Sequence, residues 1–246
     1  MPTLDYLAEY YQKQYTGTHQ QDTIQAEARQ YYRGHAADLL QRVGMKAADC
    51  AIVDYGCSYP VFLQEAKKSG YRRAIGVDYA QEAFATSGES VEMIRPDQLA
   101  LLADASVDIV RFSHTLEHLI DPVTVLREVV SKVRRGGLVY ITQPSFPFFA
   151  LGKQPPELKD SVYPEHLHFF SPLSLAMLVE KCGCVIDTLF THTGEEKRVA
   201  DYAGVLDELH SMSAMAKYKD RGDRHFPLGT YPRYMGENSS LYARKT

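Results

Sequence analysis

The sequence predicts an α/β fold, a doubly wound and mostly parallel sheet, and three observations carry that expectation. Short apolar runs of strand length alternate with segments of helical period between Ala51 and Thr191. Strands that alternate with helices at these short intervals imply parallel crossovers. The 246 residues, 45% hydrophobic and 24% charged, suffice for one large domain with elaborations and exclude two large ones.

Taken in order, the apolar residues of Thr3 to Tyr15 and of Ile24 to Val43 recur at helical spacing, with Gly17 and Thr18 between them. Ala51 to Tyr55 is a buried strand that turns at Gly56 into a helix over Pro60 to Lys68, where Pro60 suits a first helical position. Strand Ala74 to Val77, helix Gln81 to Thr86, and strands Val91 to Ile94 and Val107 to Phe112 follow. Helix Pro122 to Val133 is expected to stop at Gly136-Gly137 ahead of strand Leu138 to Thr142. Pro147, Pro155, Pro156, Pro164 and Pro172 then mark a loop or lid over residues 145–171. Helix Pro172 to Cys182, with Gly183 as its stop, leads into strand Val185 to Thr191. Residues 195–218 read as an inserted helix, 219–238 as a loop, and Ser240 to Arg244 as a final strand. The organisation is therefore an N-terminal helical cover (1–45), a core (46–194) carrying the lid, an insertion (195–238) and a last core strand (239–246).

Charge narrows the function classes. Lys plus Arg is 27 against 31 for Asp plus Glu, a net charge of −4, so no domain-wide positive field attracts a nucleic-acid backbone. The pairs Arg72-Arg73 and Arg134-Arg135 are expected to cap helix ends. Cys50, Cys57, Cys182 and Cys184 form no C-x-x-C pair and are too sparse for a disulfide framework, which points to reduced thiols and a cytoplasmic setting. Neither a signal-peptide pattern nor an apolar run of spanning length occurs, so no membrane partner is expected.

In an open parallel sheet a ligand sits beyond the carboxyl ends of the strands. The first strand ends in Asp54-Tyr55-Gly56-Cys57-Ser58-Tyr59-Pro60, and Asp78 closes the second strand 22 residues after the glycine (78 − 56). That interval suits a carboxylate accepting two hydrogen bonds from a ribose diol. A pyrophosphate would need further glycines where Ser58 and Pro60 stand. The expected ligand contains a nucleoside without phosphates.

These strings resemble the class I S-adenosylmethionine-dependent methyltransferases, whose acid-x-Gly-x-Gly-x-Gly turn corresponds to Asp54-x-Gly56-x-Ser58-x-Pro60. "DQLALLADASVD" (Asp97 to Asp108), "FSHTLEHLIDP", "RRGGLVYITQPS" and "EHLHFFSPLSLAMLVEKCGC" are similar to later segments of that family, and the resemblance covers roughly residues 25–192. It implies a seven-stranded Rossmann-like sheet, S-adenosyl-L-methionine as cofactor and a small-molecule acceptor, with a homodimer as the assembly considered. By the same resemblance, Asp54 and Gly56 place the methionine part, Asp78 the ribose, Asp97 and Gln98 the adenine edge, and Ser113 and His114 close the site. Cys57 and Tyr79, in and beside the two turns, and Tyr15 complete the expected cofactor contacts. His166 and His168, with Tyr163 nearby, are the candidates for a catalytic base. No residue is assigned to a metal.

Two rival readings accompany this one. The missing glycines could mark a non-catalytic binding or scaffold protein. The string His114-Thr115-Leu116-Glu117-His118 also matches a zinc-peptidase signature, although Pro122 cuts short the helix such a site requires. The 17 tyrosines, in a chain without tryptophan, include Tyr6, Tyr10, Tyr11, Tyr31 and Tyr32, expected with Tyr15 over the cofactor, and Tyr55 and Tyr59, expected beside the turns.

Overall fold

A computed structural model of the chain describes residues 26–80, 84–85, 88, 90–145, 166–193, 196–200 and 238–246. Expectations for Tyr6, Tyr10, Tyr11, Tyr15 and Tyr163, and most of the lid and the insertion, lie outside them. The described helices are α1 (Ala26–Val43), α2 (Val61–Lys68), α3 (Pro122–Lys132) and α4 (Pro172–Lys181). The strands are β1 (Ala51–Tyr55), β2 (Arg73–Val77), β3 (Glu92–Ile94), β4 (Val107–Ser113), β5 (Val133–Pro144), β6 (Cys184–Thr193), β7 (Glu196–Ala200) and β8 (Asn238–Lys245). Their order in the sheet is β3-β2-β1-β4-β5-β8-β6-β7. The chain divides into two compact units. One runs to Thr115 and takes in Arg127–Val139 and Lys245; the other comprises Leu116–Leu126, Tyr140–Arg244 and Thr246.

In the first unit β1 pairs in parallel with β2 (Asp54↔Gly76) and with β4 (Asp54↔Arg111), and β2 pairs in parallel with β3. Every residue of β1 is buried, as a strand enclosed on both faces requires. Helix α1 turns Ala36, Leu39 and Val43 inward at helical spacing. The Tyr71 hydroxyl donates to the Ala36 carbonyl at 2.7 Å, so this buried ring keeps a polar partner. On α2, Glu65 is fully buried yet receives Arg29, Arg33 and Lys68 at 2.8–3.0 Å. The two arginine pairs tie α1 to α2.

The expected stop at Gly136-Gly137 is corrected. Helix α3 ends at Lys132, and β5 begins at once and runs through both glycines. Lys245 donates to the carbonyls of Ser131 (3.1 Å) and Val133 (2.7 Å), satisfying backbone acceptors where the helix gives way to strand. A Cβ on Gly137 would lie 2.8 Å from the Asp108 carbonyl oxygen, so glycine there permits a close approach of β5 and does not terminate a helix. The arginine pairs are corrected with it. Arg134 lies within β5 and holds Asp108 at 2.6 Å, while Arg73 opens β2 and clasps Glu92 at 2.7 Å.

In the second unit, α4 starts at Pro172 behind a reciprocal Ser171–Ser174 cap and stops at Gly183 (φ +82°), as expected. Residues 196–200, expected as the start of a helix, are strand β7, antiparallel to β6 up to the pair Thr193↔Glu196. An antiparallel neighbour needs only a tight connection, so a strand adds to this edge without a crossover. The sheet has eight strands, with β7 as the added strand at its edge. Among the described residues no helix is long and apolar enough to cross a membrane.

Candidate active site

The carboxyl ends of β1, β2 and β4 meet in the first unit. Gly56 bends away from β1 at φ +73°, and its N–H donates to the Val77 carbonyl at 2.8 Å. A Cβ at position 56 would strike the Thr115 side chain, with Oγ1 2.5 Å away. Thr115 in turn donates to the carbonyls of Tyr55 (3.1 Å) or Ser113 (3.2 Å), so the turn after β4 is fitted to the turn after β1.

Asp78 joins the ends of β1 and β2. One carboxylate oxygen accepts from the Ser58 N–H at 2.7 Å and the other from the Ala80 N–H at 2.9 Å. Ser58 sits at φ +48° and the exposed His114 at φ +51°, both in the left-handed region where glycine is at ease. Backbone held this way by its surroundings is frequent at ligand sites. The position expected to carry the second glycine has kept glycine's conformation with a serine.

The other expected cofactor residues divide. Asp54 is 2% exposed and both its oxygens lie 2.8 Å from the Arg111 guanidinium, which stacks on Phe62 at 4.4 Å. Burial pushes its carboxyl up, and Arg111 opposes that push. Cys57 is buried, and burial raises its thiol well above the ordinary range; its Sγ would lie 2.8 Å from a Cβ on Gly76. Tyr79 is 59% exposed, and its hydroxyl is pushed up by partial burial and by Asp97. Asp97 and Gln98 are exposed on the 3-10 turn Pro96–Leu101, where the Gln98 amide oxygen accepts from the Arg95 N–H at 2.9 Å. Ser113 is half-buried at the end of β4.

Of the tyrosines expected over the cofactor, Tyr31 is 66% exposed and Tyr32 stands edge-on to Phe62, its hydroxyl pushed up by burial. Tyr55 is buried against Phe112, and Tyr59 is half-buried beside the first turn.

In the second unit the backbone carbonyl of Glu117 accepts from the N–H groups of Leu167 (2.8 Å) and His168 (3.0 Å). That clamp sets His166 against His118, with ring centroids 4.8 Å apart. Glu117 Oε1 lies 3.8 Å from His118 Nε2, and one donor atom from each of Glu117, His118 and His166 falls within 4.8 Å of the others. His168 stacks at an angle on Phe170. Residues 114–118 form no helix, since only Leu116–His118 make a single 3-10 turn, and His114 is not in this group. Glu117 and His118, which the sequence offers only within the peptidase-like string, thus come together with His166.

Sequence reasoning missed Arg111 and Thr115. Its available signal for Arg111 was a lone arginine inside the apolar run of β4, opposite the one acid of β1.

The family model described as "Methyltransferase domain" matches residues 27–189. A curated Mycolicibacterium smegmatis protein, described as a probable S-adenosylmethionine-dependent methyltransferase, is 28% identical over 198 residues, spanning 78% of this chain and 74% of that protein. The crystal structure of a SAM-dependent methyltransferase from Archaeoglobus fulgidus is similar with a TM-score of 0.57 at 18% identity, covering 96% of this chain and 99% of the other. One from Mesorhizobium loti is similar at 0.55 and 18%, covering 87% and 100%. At these identities the two structures speak for the fold.

Proposed function

The chain belongs to the methyltransferase-domain family and is a class I, S-adenosylmethionine-dependent enzyme, and from that premise we propose that it methylates a small hydroxylated or sugar-like acceptor at oxygen or nitrogen. A lone pair of the acceptor attacks the sulfonium methyl in line with the departing sulfur. The C–O or C–N bond forms as the C–S bond breaks, the acceptor's proton passes to a histidine base, and S-adenosylhomocysteine leaves. The sulfonium is already activated, so alignment is the main demand on the protein.

The observation that carries the reading is the Asp78 carboxylate at the end of β2, held to the turn after β1 beside Gly56. It supports assigning Asp78 to the ribose hydroxyls, with Gly56, Cys57 and Ser113 forming the walls of the cofactor site and Tyr79, Asp97 and Gln98 its adenine side. Asp54, paired with Arg111, is assigned to fixing the first turn on the methionine side. His166 and His168 are assigned to the acceptor side as the candidate bases for that proton. A net charge of −4 favours a small acceptor over a nucleic acid.

Calorimetric titration with S-adenosylhomocysteine tests the cofactor site. Binding is expected, and Asp78→Asn should weaken it by about 10-fold or more, the worth of one to two hydrogen bonds to a charged group. No binding at millimolar ligand, or an unchanged affinity in the variant, would overturn the assignment. A mass-spectrometric screen of hydroxylated and amine acceptors for a methyl increment tests the substrate class.

A further inference from the structure

We propose that Glu117, His118 and His166 form a binding site for a divalent first-row metal cation, with Zn²⁺ as its representative. Two imidazoles and a carboxylate are a donor set that such cations accept, and three protein ligands leave positions open for water or a substrate oxygen.

The geometry is close to what binding needs. Donor atoms within 4.8 Å of one another must close to about 3.0–3.5 Å around a cation with bonds of about 2.0–2.2 Å. Small rotations of three side chains accomplish that, because their backbones are already locked together. The two hydrogen bonds from Leu167 and His168 to the Glu117 carbonyl join the 3-10 turn to the His166 segment on either side of the cluster. Glu117 is almost wholly buried while His118 and His166 are half-buried, so the carboxylate lies at the base and the imidazoles at the rim. A buried carboxylate favours positive charge beside it, and a dication between these groups supplies that charge. His114 takes no part, so the site differs from the His114–Glu117–His118 arrangement of the peptidase signature.

The inference does not rest on the methyl-transfer reading. Its chemical consequence does: a cation with open positions lowers the pKa of a bound hydroxyl, and with His166 engaged as a ligand the role of base falls to His168.

The full-length protein, stripped with a chelator and dialysed, is titrated calorimetrically with Zn²⁺ alone, in the absence of S-adenosylmethionine. Bound metal is then counted by elemental mass spectrometry, and Co²⁺ loading is followed by its visible absorption. One equivalent with a dissociation constant of about 1 μM or tighter is expected. His118→Ala and His166→Ala should each weaken it by about 100-fold or more and abolish the Co²⁺ bands, while His114→Ala leaves both unchanged. Glu117→Gln should act like the histidine variants, and the histidine variants alone decide the matter if burial of Glu117 makes that one unfold. Binding of less than one equivalent, or binding that survives His166→Ala, would overturn the site whatever the outcome with S-adenosylhomocysteine.

Discussion

Arg111 and Asp54 are residues whose fates are joined. Each is buried, and each would be a costly charge without the other. Arg111→Leu is expected to destabilise the protein by about 3–5 kcal/mol, because it strands a buried carboxylate. Denaturant melts of Arg111→Leu and of Arg111→Leu/Asp54→Leu check this, and the double variant should recover much of the loss. Ser58 presents the opposite case. At φ +48° a serine is strained where glycine is not, so Ser58→Gly should raise stability by up to about 1 kcal/mol. A lower melting temperature for that variant would show that the serine side chain contributes more than its backbone costs.

At the scale of elements, the α1–α2 contact is electrostatic at its centre. Burial pushes the Glu65 carboxyl up, but Lys68, Arg33 and Arg29 outweigh it and hold the group at about 2. A carboxyl whose folded pKa is depressed stabilises the fold above its unfolded value, near 4.5, and that contribution disappears as pH falls from there through about 2. The full linkage approaches ~3 kcal/mol, and the exposure of the three cations reduces it to roughly 1–2 kcal/mol. Glu65→Gln should therefore lose stability at pH 7 and show a flatter stability profile between pH 5 and pH 2 than the parent. Gly137→Ala in β5 should cost about 1–3 kcal/mol, since its Cβ would press on the Asp108 and Arg134 carbonyls. Elements were also where the sequence was easiest to read. The bounds of β1, β2, β4, α2 and α4 are legible to within a residue or so, because the apolar period changes sharply at each. The β5 boundary was not, since a glycine pair looks the same as a helix stop or as a close approach. Strand β7 was hidden in charged residues that carry no apolar period.

For the whole molecule, the strand-end site of the first unit was legible in the sequence, and the histidine cluster of the second, which depends on distant partners, was not. Gly56 and Asp78 follow from spacing along one chain segment. The union of His118 with His166 spans 48 residues (166 − 118) and is created by the Glu117 backbone clamp, which leaves no trace in either local pattern. A cofactor bound to the native state stabilises the entire fold by mass action. S-adenosylhomocysteine at 100 times its dissociation constant should contribute about 2.7 kcal/mol, a rise in melting temperature of about 5–11 °C by differential scanning calorimetry. Asp78→Asn should lose most of that rise.

The four cysteines offer one consequence beyond packing. All are buried and outside any disulfide; burial pushes Cys50 up to about 12 and Cys57 well above the ordinary range, so the native chain presents little reactive thiolate at these two positions. They are therefore clocks for opening, because alkylation by a maleimide can proceed only when the structure around each sulfur gives way. Cys57 times the turn between β1 and α2, whereas Cys182 and Cys184 time the end of α4. If the cofactor grips that turn, S-adenosylhomocysteine should slow the labelling of Cys57 far more than that of Cys182, as read by peptide mass spectrometry.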